Sequence, residues 1–216
     1  MEEIKMKPEI YYVFDTMCGW SYGNSDVITK VQEKYKEVYD FNLVPAGMWA
    51  GDNVKTMDSS LREFINDNNI EVEKSTGKSF GEGYNKKVLD SSSVVLDSFP
   101  GAKAVVIVQK IKKEVAFSFL KNIQNAFFLE GKDMNNIKVY LETAESFSIA
   151  RDEFQKLYNS EEIRVETLNC FEKAEAMGVE TFPSIVAEEN NKTDIIAEGY
   201  SSFEDLDKIF SSLAKG

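Results

Sequence analysis

EIYYVFDTMCGWSYGN, Glu9–Asn24, is the stretch on which the fold turns. Its first seven residues are β-prone and almost continuously apolar, as an inner strand covered on both faces requires. Pro8 bounds the run on one side and the Cys18–Gly19 region on the other. Beyond it, Val27, Val31, Tyr35 and Val38 recur at helical spacing, with QEKYKE supplying the wet side. FNLVPAGMW, Phe41–Trp49, then reads as a second strand. Strand, helix and strand within about 40 residues make a βαβ unit, so the two strands run parallel.

From about Lys55 to Ser160 the hydrophobic period becomes helical. Met57, Leu61, Phe64 and Ile65 form one stripe. DSFPGAKAVVIVQKI begins a helix with Ser98 as its cap and Pro100 in its first turn. Ile123, Ala126 and Phe127 mark another helix, and Ile137, Leu141 and Ala144 a further one. STGKSFGEG contributes Gly77, Gly81 and Gly83, but the full P-loop spacing is absent, so it reads as a connector and not a phosphate cradle. The end of the chain returns to α/β. EEIRVETLNCFEKAEAMG is a helix closed by Gly178. TFPSIVAEE and TDIIAEG are strands joined by an Asn190–Asn191 turn, and SSFEDLDKIFSSLA is a terminal helix capped by Ser201 or Ser202 with Glu204 or Asp205. The order βαβ, helical block, αββα predicts an α/β, thioredoxin-like fold. Residues 1–54 and 161–216 form the discontinuous thioredoxin-like part, and residues 55–160 an all-helical insertion.

Composition excludes several functions. The chain has 216 residues, 43% of them hydrophobic, and a net charge of −12. A field of that sign repels phosphate backbones and anionic lipid, so neither nucleic acid nor a membrane surface is an expected partner. No apolar run reaches the length of about 18 residues that spanning needs. MEEIKMKPEI lacks the apolar core of a secretory signal, and two cysteines do not make a disulfide framework, which together predict a cytoplasmic protein. The sequence holds no histidine. Ser-His-Asp and Cys-His systems and His-containing zinc sites are therefore impossible, and two cysteines cannot form a Cys-rich metal site.

A cysteine just past the end of a parallel strand, at the first turn of a helix, sits where free N–H groups and the helix dipole favour a thiolate. Cys18 holds that position. Taken alone it is either a working thiol or a core cysteine packed among Tyr12, Phe14, Met17 and Trp20. Met17 and Tyr22 are candidates to line a groove beside it, whereas Trp49 and Phe80 read as core. Pro183 starts a strand soon after a glycine-capped helix, which suits a turn better than a strand interior. Cys170 lies on the flank of a helical stripe and reads as a small core hydrophobe.

FDTMCGWSYG, PAGMWAG, TGKSFGEGY, LDSFPGAKAV, NIQNAFFLEGKDM and GVETFPSIV together resemble the DsbA family of thioredoxin-like proteins. They are most similar to its FrnE-like group of predicted protein-disulfide isomerases, and the resemblance spans nearly the whole chain. It implies that Cys18 is the nucleophile and Trp20 the aromatic inside the motif. It further implies that Phe182 and a cis Pro183 form the loop facing the thiol and offer a backbone edge to an extended substrate. The departure is Ser21, where the family generally has a resolving cysteine. Cys-Gly-Trp-Ser cannot form an internal disulfide, although Ser21 can hydrogen-bond a thiolate or serve the helix end as a cap. The implied activity is monothiol disulfide exchange on protein or peptide disulfides, or on small thiols such as glutathione as co-substrate, with no bound cofactor and no metal. The expected Cys18 pKa is below the ordinary value of about 8.5. Two alternatives stand beside this: a kappa-type glutathione transferase or isomerase, and a binding module that kept the groove without turnover.

Overall fold

The computed structural model describes residues 7–189 and 192–214. The apolar run after Pro8 forms β1 (Glu9–Phe14), followed by α1 (Gly19–Tyr35) and β2 (Asp40–Pro45). β1 and β2 pair in parallel, Tyr12 opposite Leu43 and Phe14 opposite Pro45. The second strand stops at Pro45, short of Trp49, because Ala46 onward leaves the sheet for a loop whose Gly47 has a positive φ of 68°. Near the other end of the chain, β5 (Ser184–Glu189) and β6 (Lys192–Glu198) complete a four-stranded sheet of order β2-β1-β5-β6. β5 runs antiparallel to both β1 and β6. The Asn190–Asn191 turn expected between β5 and β6 lies outside the described residues.

Alternation along β1 explains its nearly unbroken apolarity. Ile10, Tyr12 and Phe14 enter one core, shared with Phe41, Leu43 and Ile185. Tyr11 and Val13 enter a second, on the opposite face, with Val44, Val186 and residues Ala174 and Val179. Each fully buried side chain of that size is worth about 1.5–3 kcal/mol, so β1 is the best-anchored element of the sheet. α8 (Glu161–Ala176) covers the second face, while α1 and α9 (Phe203–Leu213) pack together over the first. Gly178, at φ 72°, ends α8 in the left-handed conformation that glycine tolerates. Ser202 caps α9, its hydroxyl accepting from the Asp205 amide at 3.2 Å.

Between the two parts of the sheet run α2 (Ser59–Thr76), the short α3 (Glu82–Tyr84), α4 (Phe99–Ile111), α5 (Ala116–Phe128), α6 (Ile137–Ser146) and α7 (Arg151–Tyr158). Three features here have no counterpart in the sequence reading. A two-residue pairing joins β3 (Lys55–Thr56) to β4 (Val95–Leu96), α7 is a separate helix, and Asn85–Leu89 winds as a π-helical turn. One apolar core runs from the sheet residues through Phe119, Phe128 and Phe154 without a break, so the sheet and the helical segment share their interior.

The glycines of the connector have a packing role. A Cβ on Gly81 would lie 2.1 Å from the Leu129 carbonyl oxygen, and one on Gly83 2.5 Å from that of Glu130. Gly131, at φ 63°, returns the contact against Gly83. Two stretches of backbone therefore touch directly, which brings Tyr84 against Phe127 and Phe128.

Candidate active site

β1 delivers Asp15, Thr16 and Met17 to the carboxyl edge of the sheet, and Cys18 is the N-cap of α1, in extended conformation. The Phe182–Pro183 peptide bond across from it is cis. The Cys18 thiol donates to the Phe182 carbonyl oxygen at 3.6 Å, so the chain brings these residues together over a separation of 164 positions. Phe182 also lines a groove of about 360 Å³ with Cys18 and Trp20. Pro183 is buried behind it, its carbonyl accepting from Gly199 at 2.7 Å.

The groove has apolar walls. Met17, Trp20, Met48, Trp49, Phe64, Tyr84, Phe127 and Phe128 contribute, with Asn68, Asn69 and Thr181 as polar points. Trp49 thus belongs to the groove as well as to the core margin. Met17 lines the groove as expected, but Tyr22 does not. Tyr22 turns inward, stacks on Phe128 at 4.7 Å and donates its hydroxyl to the Ser79 carbonyl. Its ring joins the aromatic cluster with Phe80, 5.6 Å between centroids.

Ser21 is fully buried and does not reach the groove surface. Its hydroxyl accepts from the Asp15 amide at 3.3 Å, an attachment to the strand end and not a helix cap. The Ser21 amide and hydroxyl and the Trp20 amide all favour the Cys18 thiolate, as a helix N-terminus should. Burial opposes them and wins. With only 8% of its surface exposed and the Asp15 carboxylate nearby, the Cys18 thiol is pushed up from its ordinary value. This corrects the expectation of a lowered pKa, which counted the donors and missed the loss of solvent. The Cys170 thiol is also raised, pushed to about 11 by burial in the margin between the two cores. That agrees with a packing role.

Asp15 is the site residue that sequence reasoning missed. Although 1% exposed, its carboxylate receives three neutral donors: Met17 N–H at 2.8 Å, Met48 N–H at 2.7 Å and the Ser98 hydroxyl at 2.9 Å. It ties the cysteine turn to the loop after β2 and to the start of α4. Burial raises its pKa against those donors. Ser98, expected to cap α4, holds the N-cap position without a side-chain cap bond, because its hydroxyl is committed to Asp15 and to the Trp49 amide. The only available signal was an acidic residue at the end of an otherwise apolar strand, which alone does not name its partners.

Comparison with known proteins agrees with this fold. A family model described as thioredoxin matches residues 11–207. A candidate protein disulfide isomerase from Nitrosomonas europaea is 25% identical and superposes with a TM-score of 0.87, over 97% of this chain and 98% of that one. The cytosolic disulfide reductase DsbM from Pseudomonas aeruginosa, solved with GSH, has the same fold. It superposes with a TM-score of 0.79 at 21% identity, over 96% of this chain and all 100% of that one. The ClpXP adapter protein SpxH of Bacillus subtilis (strain 168) is 24% identical over 178 residues, 82% of this chain. The chain spans 57% of the length of that curated relative. Among the described residues, no helix is long and apolar enough to cross a membrane.

Proposed function

Because this chain belongs to the thioredoxin family and has a DsbA-like fold, we propose that it is a thiol–disulfide oxidoreductase or isomerase that works with a single sulfur. The observation that carries the reading is the contact of the Cys18 thiol with the Phe182 carbonyl at the head of an apolar groove. In the free protein that carbonyl accepts from the thiol and burial keeps the proton on sulfur. An extended substrate whose backbone N–H pairs with the Phe182 carbonyl displaces the thiol from it. Cys18 then gives up its proton to solvent, and its thiolate is held by the donors at Trp20 and Ser21.

The thiolate attacks one sulfur of the substrate disulfide. The S–S bond breaks, a bond forms between Cys18 and that sulfur, and the other sulfur leaves as a thiolate that takes up a proton. Ser21 has no sulfur with which to expel the product. A small external thiol, with glutathione as the proposed co-substrate, attacks the mixed disulfide and returns Cys18, or the departed substrate thiol attacks it again and isomerises the substrate. The cytosolic DsbM, solved with GSH, supports a small thiol in this role and a reducing compartment as the setting.

The experiment is turnover of a scrambled or oxidised protein disulfide in excess thiol. Activity that disappears in Cys18→Ala and rises with pH supports the proposal; activity equal in wild type and Cys18→Ala removes it. A binding module with the same groove is the second reading, favoured by the raised Cys18 pKa. A Cys18 that forms no adduct with any disulfide at alkaline pH decides for the module. A glutathione transferase has less support, since no Lys or Arg is among the described residues lining the groove.

A further inference from the structure

Among the described residues, the groove's lining carries one charged side chain. Trp20, Met48, Trp49 and Phe64 present apolar surface around Cys18, and Glu180, exposed on the loop before the cis peptide bond, is the only acidic side chain among the described lining residues. Phe64 stands 59% exposed at the groove, an apolar ring facing water. A cavity of about 450 Å³ that shares Met17 and Phe127 with the groove is lined by Lys87 and Lys132. Those lysines are already engaged, Lys87 on the Glu130 carbonyl at 3.0 Å and Lys132 near the Glu130 and Glu142 carboxylates. The whole chain carries a net charge of −12.

From this geometry we infer the substrate class of the groove: a peptide segment whose disulfide cysteine is flanked by a large apolar residue and by a basic one. The apolar residue covers Phe64 and the Trp20–Trp49 wall, removing exposed aromatic surface from water. The basic residue meets Glu180 and is drawn in by the field of the chain. The same features disfavour anionic disulfides. Oxidised glutathione carries four carboxylates and meets no cation among the described lining residues, so glutathione acts here as the small thiol that releases Cys18 and not as the preferred disulfide. The inference rests on the proposed nucleophilic role of Cys18 and adds to it a choice among substrates.

The test uses symmetric disulfides of short blocked peptides with Phe-Cys-Lys, Phe-Cys-Glu or Gly-Cys-Lys cores, alongside oxidised glutathione. The rate of Cys18 adduct formation is followed by intact mass at low and high salt. Each rate is divided by that of the same disulfide with free mercaptoethanol, which removes the intrinsic reactivity of the disulfide. The Phe-Cys-Lys disulfide reacts at least about tenfold faster than the Phe-Cys-Glu one at low salt, and the advantage shrinks at high salt. Glu180→Gln reduces that charge preference to less than about threefold while Phe remains preferred over Gly. Equal normalised rates for all disulfides, or oxidised glutathione as the fastest, overturn the inference and leave Cys18 as a nucleophile. An absence of adduct with every disulfide overturns both.

Discussion

Gly81→Ala measures how firmly the groove's aromatic wall is held by direct backbone contact. The added Cβ falls 2.1 Å from the Leu129 carbonyl oxygen and 2.7 Å from its carbonyl carbon and Cα, none of which is a flexible side-chain tip. Reaching ordinary contact at 3.4 Å means parting the two backbones by about 1.3 Å. That movement stretches the hydrogen bond from the Gly81 amide to the Phe128 carbonyl, now 2.9 Å. Overpacking costs about 1–3 kcal/mol and a lost hydrogen bond about 1 kcal/mol, for a total near ~3 kcal/mol. At about 2–4 °C per kcal/mol for a chain of this size, the melting temperature falls by about 6–12 °C. Gly77→Ala is the comparison. Gly77 has φ 73° and open space around it, so it loses only the left-handed backbone preference, about 1 kcal/mol. Denaturant unfolding monitored by near-UV circular dichroism gives both values. A Gly81→Ala protein within about 1 kcal/mol of wild type, or one no less stable than Gly77→Ala, refutes the backbone-contact account.

Cys18 alkylation by iodoacetamide has its pH midpoint above about 8.5, and Ser21→Ala moves it higher by removing a donor that favours the thiolate; a midpoint below that value contradicts the burial argument. The linked stability has a definite sign. The folded pKa is raised, so the contribution of Cys18 is complete below about pH 8.5 and is lost as pH rises through the folded value, which Cys18→Ala abolishes in unfolding curves taken across alkaline pH. Asp15→Asn keeps an oxygen for Met17 and Ser98 but sets an amide N–H against the Met48 N–H, costing about 1–3 kcal/mol. It also removes a negative charge near the sulfur, so Cys18 alkylates faster at neutral pH; Ser98→Ala, which perturbs the same web and keeps the charge, does not produce that shift.

What the sequence made legible was whatever local periodicity or a single residue's geometry controls. β1 and β2 could be read because strands buried on both faces are apolar throughout, and the parallel pairing followed from the helix between them. Gly178 and Ser202 announced helix ends because their roles depend on neighbours a few positions away. The hidden features all depend on distant partners. Asp15 meets Met48 and Ser98 across 33 and 83 positions, and Ser98 consequently gives up the cap its own helix suggested. Gly81 and Gly83 looked like turn glycines, and their need for bare backbone appears only when the 129–131 stretch is laid against them. Cys18 was found by its place at a strand-to-helix turn, but its pKa direction was misjudged because burial is set by walls from α2, α5 and the cis loop.

The most direct measurement is the mass of the protein after a single exposure to a peptide disulfide at pH 8, without added thiol, for wild type and Ser21→Cys. In wild type one peptide becomes attached at Cys18 and stays until mercaptoethanol or glutathione is added. In Ser21→Cys a second sulfur stands one helical turn along α1, expels the peptide and leaves an internal disulfide without external thiol. A wild-type protein that gains no mass, that is labelled at Cys170 and not Cys18, or that sheds its peptide unaided, contradicts the single-sulfur account.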